Sequence, residues 1–149
     1  MTKNDAQGLI QVMKEIIDKG DFLLPVVNKQ NNIRLCSAVS KKDTFRVIIN
    51  RSGIINPNKY TLLLMYKKDQ GLIRIDVNGP KHTNPDGSIV PCPHIHMQTQ
   101  DTGRWDAWAE DIPAVFGSTN DIVKTVYDFL MYCKANNISE IVICEQKEL

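Results

Sequence analysis

The sequence has 149 residues, of which 42% are hydrophobic and 23% are charged, and its net charge is +1. A chain of this length and composition can bury a hydrophobic core as one domain that covers residues 1–149. The near-neutral charge excludes a strongly basic or acidic protein whose overall field would select its partners, although a local charged patch is compatible with it.

The sequence indicates neither membrane insertion nor secretion. No stretch reaches the ~20 apolar residues of a membrane helix, and the N-terminal segment contains acidic side chains and no signal-peptide core. The cysteines show no paired spacing of the C-x-x-C kind. We therefore expect a cytoplasmic protein, without a membrane partner, whose thiols stay reduced. The cysteines are Cys36, Cys92, Cys133 and Cys144.

The N-terminal segment has the pattern of an amphipathic helix. Thr2 is a candidate N-cap with Asp5 three residues later, and Gly20 is a natural C-terminal stop. Apolar residues recur at helical spacing between these two signals, which predicts one helix across the segment. They are Leu9, Val12, Met13, Ile16 and Ile17.

Short strands are predicted for the next part of the chain, up to about residue 77. Turn dipeptides such as Ser52-Gly53 and Asn56-Pro57 separate them. Strands that follow one another so closely favour antiparallel hairpins over parallel units with crossover helices. The predicted strands are Phe22–Val27, Ile33–Val39, Thr44–Asn50, Tyr60–Lys67 and Leu72–Val77.

Residues 78–93 differ from the strands before them, because they contain four of the seven prolines. Proline fixes φ and lacks the amide donor, so this segment is predicted to be an ordered loop rather than part of a sheet. Within it, residues 84–87 read as a tight turn. The loop leads into His94–Thr99, whose residues alternate like those of a strand.

A second helix is predicted near the C-terminus, with Ser118 as its cap and Asp121 three residues on. Asn136 ends this helix, and Glu140–Cys144 forms a last strand. The predicted fold class is α+β, with a curved antiparallel sheet of about six to seven strands and an N-terminal and a C-terminal helix packed against it. The buried stripe of the second helix is Ile122, Val126, Phe129, Leu130 and Cys133.

All three histidines, His82, His94 and His96, fall within fifteen residues and form the candidate site. Strand alternation puts His94 and His96 on one face of their strand, and Arg74 and Asp76 on one face of theirs. If the apolar residues between them face the core, these four polar side chains meet on the outer surface of the sheet. His82 would then fold back over them from the intervening loop.

Three interpretations of this cluster are open. The imidazoles could be structural and fix the proline-rich loop by hydrogen bonds. They could bind zinc, with Cys92, His94 and His96 as ligands and His82 as a fourth. They could instead perform metal-independent acid–base catalysis on RNA, one imidazole accepting the 2′-hydroxyl proton and another protonating the leaving oxygen. In that case Arg74 would stabilise the phosphorane and Asp76 would orient an imidazole.

The run R-I-D-V-N-G-P-K-H-T-N-P-D-G-S-I-V-P-C-P-H-I-H resembles a signature of the TumE-type toxins of bacterial toxin–antitoxin pairs. Those proteins have an Arg-x-Asp-Asn strand end, a loop histidine near a proline and a Pro-His-x-His strand. The present chain departs from them in having Val77 before Asn78 and a shorter Pro-Asp-Gly turn. The resemblance implies a ribonuclease-like site with Arg74, Asp76, His82, His94 and His96 as its residues.

Most of the chain also resembles an uncharacterised family of small proteins from Gram-positive bacteria, their phages and other mobile elements. This resemblance includes the first helix, the R-I-D-V-N strand and the last helix. It implies the fold and the position of the site, but it implies no activity.

Basic residues are concentrated in the central hairpins. As a solvated hairpin surface they need no function, whereas as a patch facing RNA they would hold phosphates beside the histidines. Trp105 and Trp108 are expected to seal the edge of the sheet. The candidate substrate-binding residues are Lys67, Lys68, Lys81 and Tyr66.

The leading functional hypothesis is an RNA-acting or RNA-binding accessory protein of the toxin–antitoxin or mobile-element kind. Its partners would be RNA or an antitoxin protein, and it would need no cofactor. The alternative is a non-enzymatic inhibitor, encoded by a phage or mobile element, that binds a host defence protein as anti-CRISPR proteins do. Zinc is expected only under the metal interpretation. An unpaired sheet edge would allow a homodimer.

Overall fold

A seven-stranded antiparallel sheet lies at the centre of the computed structural model, which describes residues 1–53 and 56–146. The seven strands are β1 Lys14–Ile16, β3 Gln30–Ser37, β4 Thr44–Asn50, β5 Tyr60–Tyr66, β6 Gln70–Val77, β9 His94–Met97 and β10 Ala109–Asp111. They lie side by side in the order β1-β3-β4-β5-β6-β9-β10, and the sheet is not closed. Two small sheets accompany it: β2 Gly20–Leu23 with β11 Ile141–Cys144, and β7 His82–Thr83 with β8 Ile89–Val90.

Two helices, α1 Lys3–Gln11 and α2 Ile122–Tyr132, contribute their apolar residues to the core on one face of this sheet. Alternate residues of β4 and β5 are buried there, as the period of two in a strand requires. We call the opposite side of the sheet the outer face. The α+β class and the helices at both ends of the chain, as predicted, are confirmed. No helix in the described residues has the length and apolar character to cross a bilayer.

The helix caps agree in part with the predicted ones. Thr2 and Asp5 form a reciprocal capping box at the start of α1, as expected. The predicted cap of α2 is wrong, because Asp121 and not Ser118 accepts a hydrogen bond from the amide of Lys124. The Ser118 hydroxyl instead accepts from the amide of Asn120, one turn before the helix. The predicted apolar stripe of α2 is buried in full.

The first helix is shorter than its apolar pattern predicts. It ends at Gln11, and Val12 is already extended with ψ 138°. The chain then forms β1, whose Ile16 pairs with Leu35 of β3. Sheet pairing therefore outweighs the helical spacing of the apolar residues beyond Gln11. Local periodicity could not reveal this, because the pairing partner lies on another strand.

The predicted strands of the main sheet are confirmed with small shifts in their ends, but two details differ. The predicted strand at 22–27 is β2, and it pairs in parallel with β11 outside the main sheet. Three short elements, β1, β10 and the β7–β8 hairpin, were not predicted. In that hairpin the expected turn at 84–87 is present, with Gly87 at φ 89° and its amide bonded to the Asn84 carbonyl.

The Lys14 side chain connects the C-terminal ends of α1 and α2. It is fully buried, and Nζ donates to the carbonyls of Ile10, Val12 and Cys133, each at 2.9 Å. The ammonium also lies 4.8 Å from the centre of the Phe45 ring. Burial lowers the pKa of Lys14 to about 8, yet three carbonyl acceptors match the three N–H donors of the charged form.

Replacing this lysine should destabilise the fold. Lys14→Met keeps the apolar stem but leaves three buried carbonyls without a donor, so we expect a loss of about 2–3 kcal/mol in the free energy of unfolding. Urea denaturation followed by circular dichroism measures it. Lys41→Met is the matched control, since the Lys41 side chain is 80% exposed. Equal stability of the two variants would show that the buried ammonium contributes nothing.

Candidate functional site

Strand register brings the predicted polar residues together. Strands β6 and β9 pair so that Arg74 lies opposite His96 and Asp76 opposite His94. Their apolar neighbours Ile73, Ile75 and Ile95 are buried in the core on the other face. The four polar side chains therefore meet on the outer face of the sheet, as alternation predicts.

The histidines are not on the surface, however, and this corrects the expectation that the polar cluster would be exposed. His94 and His96 are 2% and 0% exposed. The β7–β8 hairpin and the segment before β10 lie over them. Asn84 connects the hairpin to the start of β10, because its side-chain amide donates to the Ala109 carbonyl and accepts from the Ala109 amide.

Backbone carbonyls orient all three imidazoles. His82 donates from Nε2 to Ala107, His94 from Nδ1 to Pro91 and His96 from Nδ1 to Asp106, at 2.8, 3.2 and 2.8 Å. A carbonyl only accepts, so each of these nitrogens carries a hydrogen. The His82 ring lies over the pair, with ring centres 4.7 Å from His96 and 6.0 Å from His94.

The remaining ring nitrogens have different surroundings. Nε2 of His94 and of His96 both face Oδ2 of Asp76, at 2.9 and 3.1 Å. Both ring nitrogens of His94 thus lie within hydrogen-bond distance of an oxygen atom, of Pro91 at Nδ1 and of Asp76 at Nε2. Nδ1 of His82 has no hydrogen-bond partner within residues 1–53 and 56–146, so it is available to a ligand.

Asp76 is the common acceptor of the cluster. Besides the two imidazoles, its Oδ1 accepts from Nε of Arg74 at 3.1 Å. Burial alone would raise the pKa of Asp76, but the hydrogen bonds from His96 and His94 and the charge of Arg74 outweigh burial and lower it to about 2. Asp76 is therefore an anion at every physiological pH, and it acts as an anchor rather than as a general base.

Arg74 is held from two sides. Its Nη1 donates to Oδ2 of Asp106 at 2.9 Å while Nε binds Asp76. Arg104 also contacts the Asp106 carboxylate, at 3.2 Å. Asp106 is a site residue that the sequence reasoning missed, because no local pattern links it to a strand thirty residues earlier. The Arg74 side chain is 27% exposed, so it is held in place yet reaches solvent.

A cleft of about 400 Å³ opens above this cluster. Arg74, Asp76, His82 and His94 line it, and the exposed Lys81 lies at its wall. Lys59 also lines it; it belongs to the basic hairpin residues but was not among the predicted site residues. The cleft thus combines one accessible imidazole with several positive charges, which suits an anionic ligand.

The other predicted substrate-binding residues lie elsewhere. Lys67 and Lys68 are at the β5–β6 turn and line a separate cleft. Tyr66 packs on Phe45 with ring centres 5.3 Å apart, and its hydroxyl donates to Asp43. Of the four residues, only Lys81 lines the histidine cleft.

The residues that could bind a metal ion differ from the predicted set of Cys92, His94, His96 and His82. Ligand atoms of Asp76, His94 and His96 lie within 4.8 Å of one another. The Cys92 thiol contacts the carbonyls of Asp76 and Pro80 instead, and burial raises its pKa. Nη2 of Arg74 is 3.2 Å from Nε2 of His96, so a guanidinium already lies where a cation would bind. This arrangement disfavours a metal.

Comparison with known proteins gives one match. The model of a family of unknown function, DUF6978, matches residues 1–135. The chain belongs to this family. The matched span contains both helices and the whole histidine cluster, and it ends before β11. Neither the curated proteins nor the solved structures include a significant match to the chain.

The Asp76 anchor predicts a pH-dependent contribution to stability. The pKa falls from 3.8 to about 2 on folding, so ionised Asp76 stabilises the fold by about 2 kcal/mol above pH 4. The contribution is lost as the pH falls from 4 toward 2. Asp76→Asn should therefore be less stable than wild type at pH 6, and the difference should shrink at pH 2–3. Urea denaturation across this range measures it, with the exposed Asp21→Asn as control. A difference independent of pH would contradict the anchor role.

The position of Arg74 predicts weak metal binding. We expect the purified protein to hold less than about half an equivalent of zinc by mass spectrometry of the metal content. A full equivalent that disappears in His94→Ala, but not in Cys92→Ala, would show instead that the Asp76–His94–His96 set is a metal site.

Proposed function

We propose that this protein cleaves RNA by metal-independent acid–base catalysis in the histidine cleft. The observation that carries the proposal is that His82, whose Nδ1 has no hydrogen-bond partner among the described residues, lines the same cleft as an immobilised arginine and two lysines. An imidazole titrates near neutral pH and can accept a proton from a sugar hydroxyl. The positive charges suit a phosphodiester.

We assign each step of the proposed reaction to a residue that lines the cleft. His82 Nδ1 takes the proton of the 2′-hydroxyl, and O2′ attacks the adjacent phosphorus. The bond from phosphorus to O5′ breaks, and O5′ takes a proton from a lysine at the cleft wall, Lys81 or Lys59. The products are a 2′,3′-cyclic phosphate and a 5′-hydroxyl end, and proton exchange with water restores both side chains.

Arg74 stabilises the charge that develops on the phosphorane. Two carboxylates hold its guanidinium, so little reorganisation is needed when the phosphate arrives. Because His94 and His96 are buried, we assign them to positioning: they bind Asp76, and Asp76 orients Arg74. This modifies the initial expectation that two imidazoles share the proton transfers.

The motif resemblance supports the same activity. Arg74, Asp76, His82, His94 and His96 are the residues shared with TumE-type toxins, and all five meet in the structure. On this proposal the protein acts in the cytoplasm of a Gram-positive host, and an antitoxin protein would restrain it. Val77 and the shorter turn distinguish its site from that of the toxins.

His82→Gln is the sharpest test of the catalytic role. The amide of glutamine can still donate to the Ala107 carbonyl, but it provides no titratable base. We expect wild type to cleave a single-stranded RNA oligonucleotide equally well with and without chelator, and His82→Gln to be at least about 100-fold slower. Mass spectrometry should find the cyclic phosphate end.

His94→Gln should lower the rate as well, because His94 binds Asp76 and Asp76 orients Arg74. Circular dichroism establishes that each variant is folded. Absence of cleavage by wild type, or equal rates for wild type and His82→Gln, would refute the proposal. If RNA stays intact while one host protein is captured in stoichiometric amount, the inhibitor hypothesis would replace it.

A further inference from the structure

We propose that the outer face of the main sheet binds the single-stranded RNA that runs into the cleft, with Trp105 stacking on a base and Arg46, Lys67 and Lys68 contacting phosphates. This inference rests on the proposed function, since it names the form of the substrate and the path that it follows. Three independent features of the outer face carry it.

The first feature is the placement of Trp105 on a glycine. A Cβ atom at Gly71 would lie 2.2 Å from Cε2 and Cζ2 of the indole, so only a glycine lets the ring rest against this strand. Gly71 pairs with Met65 of β5, whose side chain belongs to the outer face. Trp105 is half-buried and directly precedes Asp106, the residue that holds Arg74. A partly exposed indole therefore lies on β6, next in the chain to the residue that holds Arg74.

The second feature is a half-exposed apolar strip next to the indole. Ile48 of β4 lies opposite Leu63 of β5, and Met65 follows two residues along on the same face. The outer-face positions of β4 and β5 carry no acidic residue. Bases stack on aromatic and apolar surface whatever their identity, so the strip and Trp105 suit unpaired bases.

The third feature is a basic groove at the far end of the strip. It has a volume of about 660 Å³, and Arg46, Lys67 and Lys68 line it. In the part of the chain that the structure describes, none of these three residues forms an ion pair, whereas Arg34 beside them is neutralised by Asp18. The uncompensated positive charge complements a phosphate backbone.

The distances connect the groove to the cleft. Arg46 pairs with Met65, and Arg74 pairs with Leu63, so the two arginines are two strands and two residues apart. Strand spacing of about 4.8 Å and a rise of about 3.4 Å per residue place them about 12 Å apart. Met65 lies between these charged ends, and Trp105 lies next to Met65, on Gly71 of β6. A duplex would hide its bases from this surface, so the arrangement favours a single strand.

Binding is measured separately from cleavage with a fluorescein-labelled RNA 12-mer in which every 2′-hydroxyl is methylated. Such an RNA cannot be cleaved, because its methylated O2′ cannot attack the adjacent phosphorus. Fluorescence anisotropy measures its affinity for the protein. We expect Trp105→Ala to weaken binding about tenfold and Trp105→Phe to retain most of it. The Arg46→Glu/Lys68→Glu double variant should weaken binding more than about tenfold and make the salt dependence less steep.

The matched control is Lys3→Glu/Lys134→Glu, which makes the same charge change at two exposed residues outside both clefts. It should bind within about twofold of wild type. If the double variant at the groove binds as tightly as this control, the inference is overturned, even if wild type cleaves RNA. If the 12-mer binds through Trp105 and the groove but no RNA is cleaved, the binding surface stands and the proposed catalysis fails.

Discussion

The Asp76 carboxylate is the interaction on which the candidate site depends. It accepts hydrogen bonds from Arg74 within its own strand and from His94 and His96 on the neighbouring strand. Its negative charge compensates the partly buried Arg74 guanidinium, and its Oδ2 gives the buried Nε2 atoms of His94 and His96 a hydrogen-bond partner. The polar cluster and the β6–β9 pairing thus stabilise each other.

The β7–β8 hairpin and the segment before β10 are held over the site by hydrogen bonds between side chains and main-chain groups, and by the Arg74–Asp106 ion pair. Each imidazole binds a carbonyl, and Asn84 joins the β7–β8 hairpin to β10. Rigid carbonyl partners fix both the tautomer and the ring plane, which preorganises the free nitrogen of His82. The result is a small cleft with a buried lower layer of His94, His96 and Asp76 and an accessible upper layer of His82, Arg74 and two lysines. Positioning and proton transfer are divided between these layers.

Most of the secondary structure and most residues of the site could be predicted from the alternation of polar and apolar residues in strands and from helix-capping residues. Both signals lie within a few residues of sequence. The period of two was enough to pair Arg74 and Asp76 with His94 and His96. Burial of the histidines could not be predicted, since it depends on Asn84 meeting Ala109, twenty-five residues away in the chain. The early end of α1 has the same cause: its apolar spacing continues, but β3 offers a sheet edge that only tertiary structure supplies.

The tie between Lys14 and Cys133 joins residues 119 positions apart. A ribosome adds about 5–20 residues per second, so the N-terminal segment waits for several seconds before its last acceptor has been made. Until then the Lys14 ammonium lacks its third carbonyl acceptor, and the edge of β1 that contacts residues 134–136 has no native partner. The native surroundings of Lys14 are therefore complete only after Cys133 has been made, although α1 and β1 emerge first. The packing of β1 thus depends on residues 133–136, which are made late in synthesis.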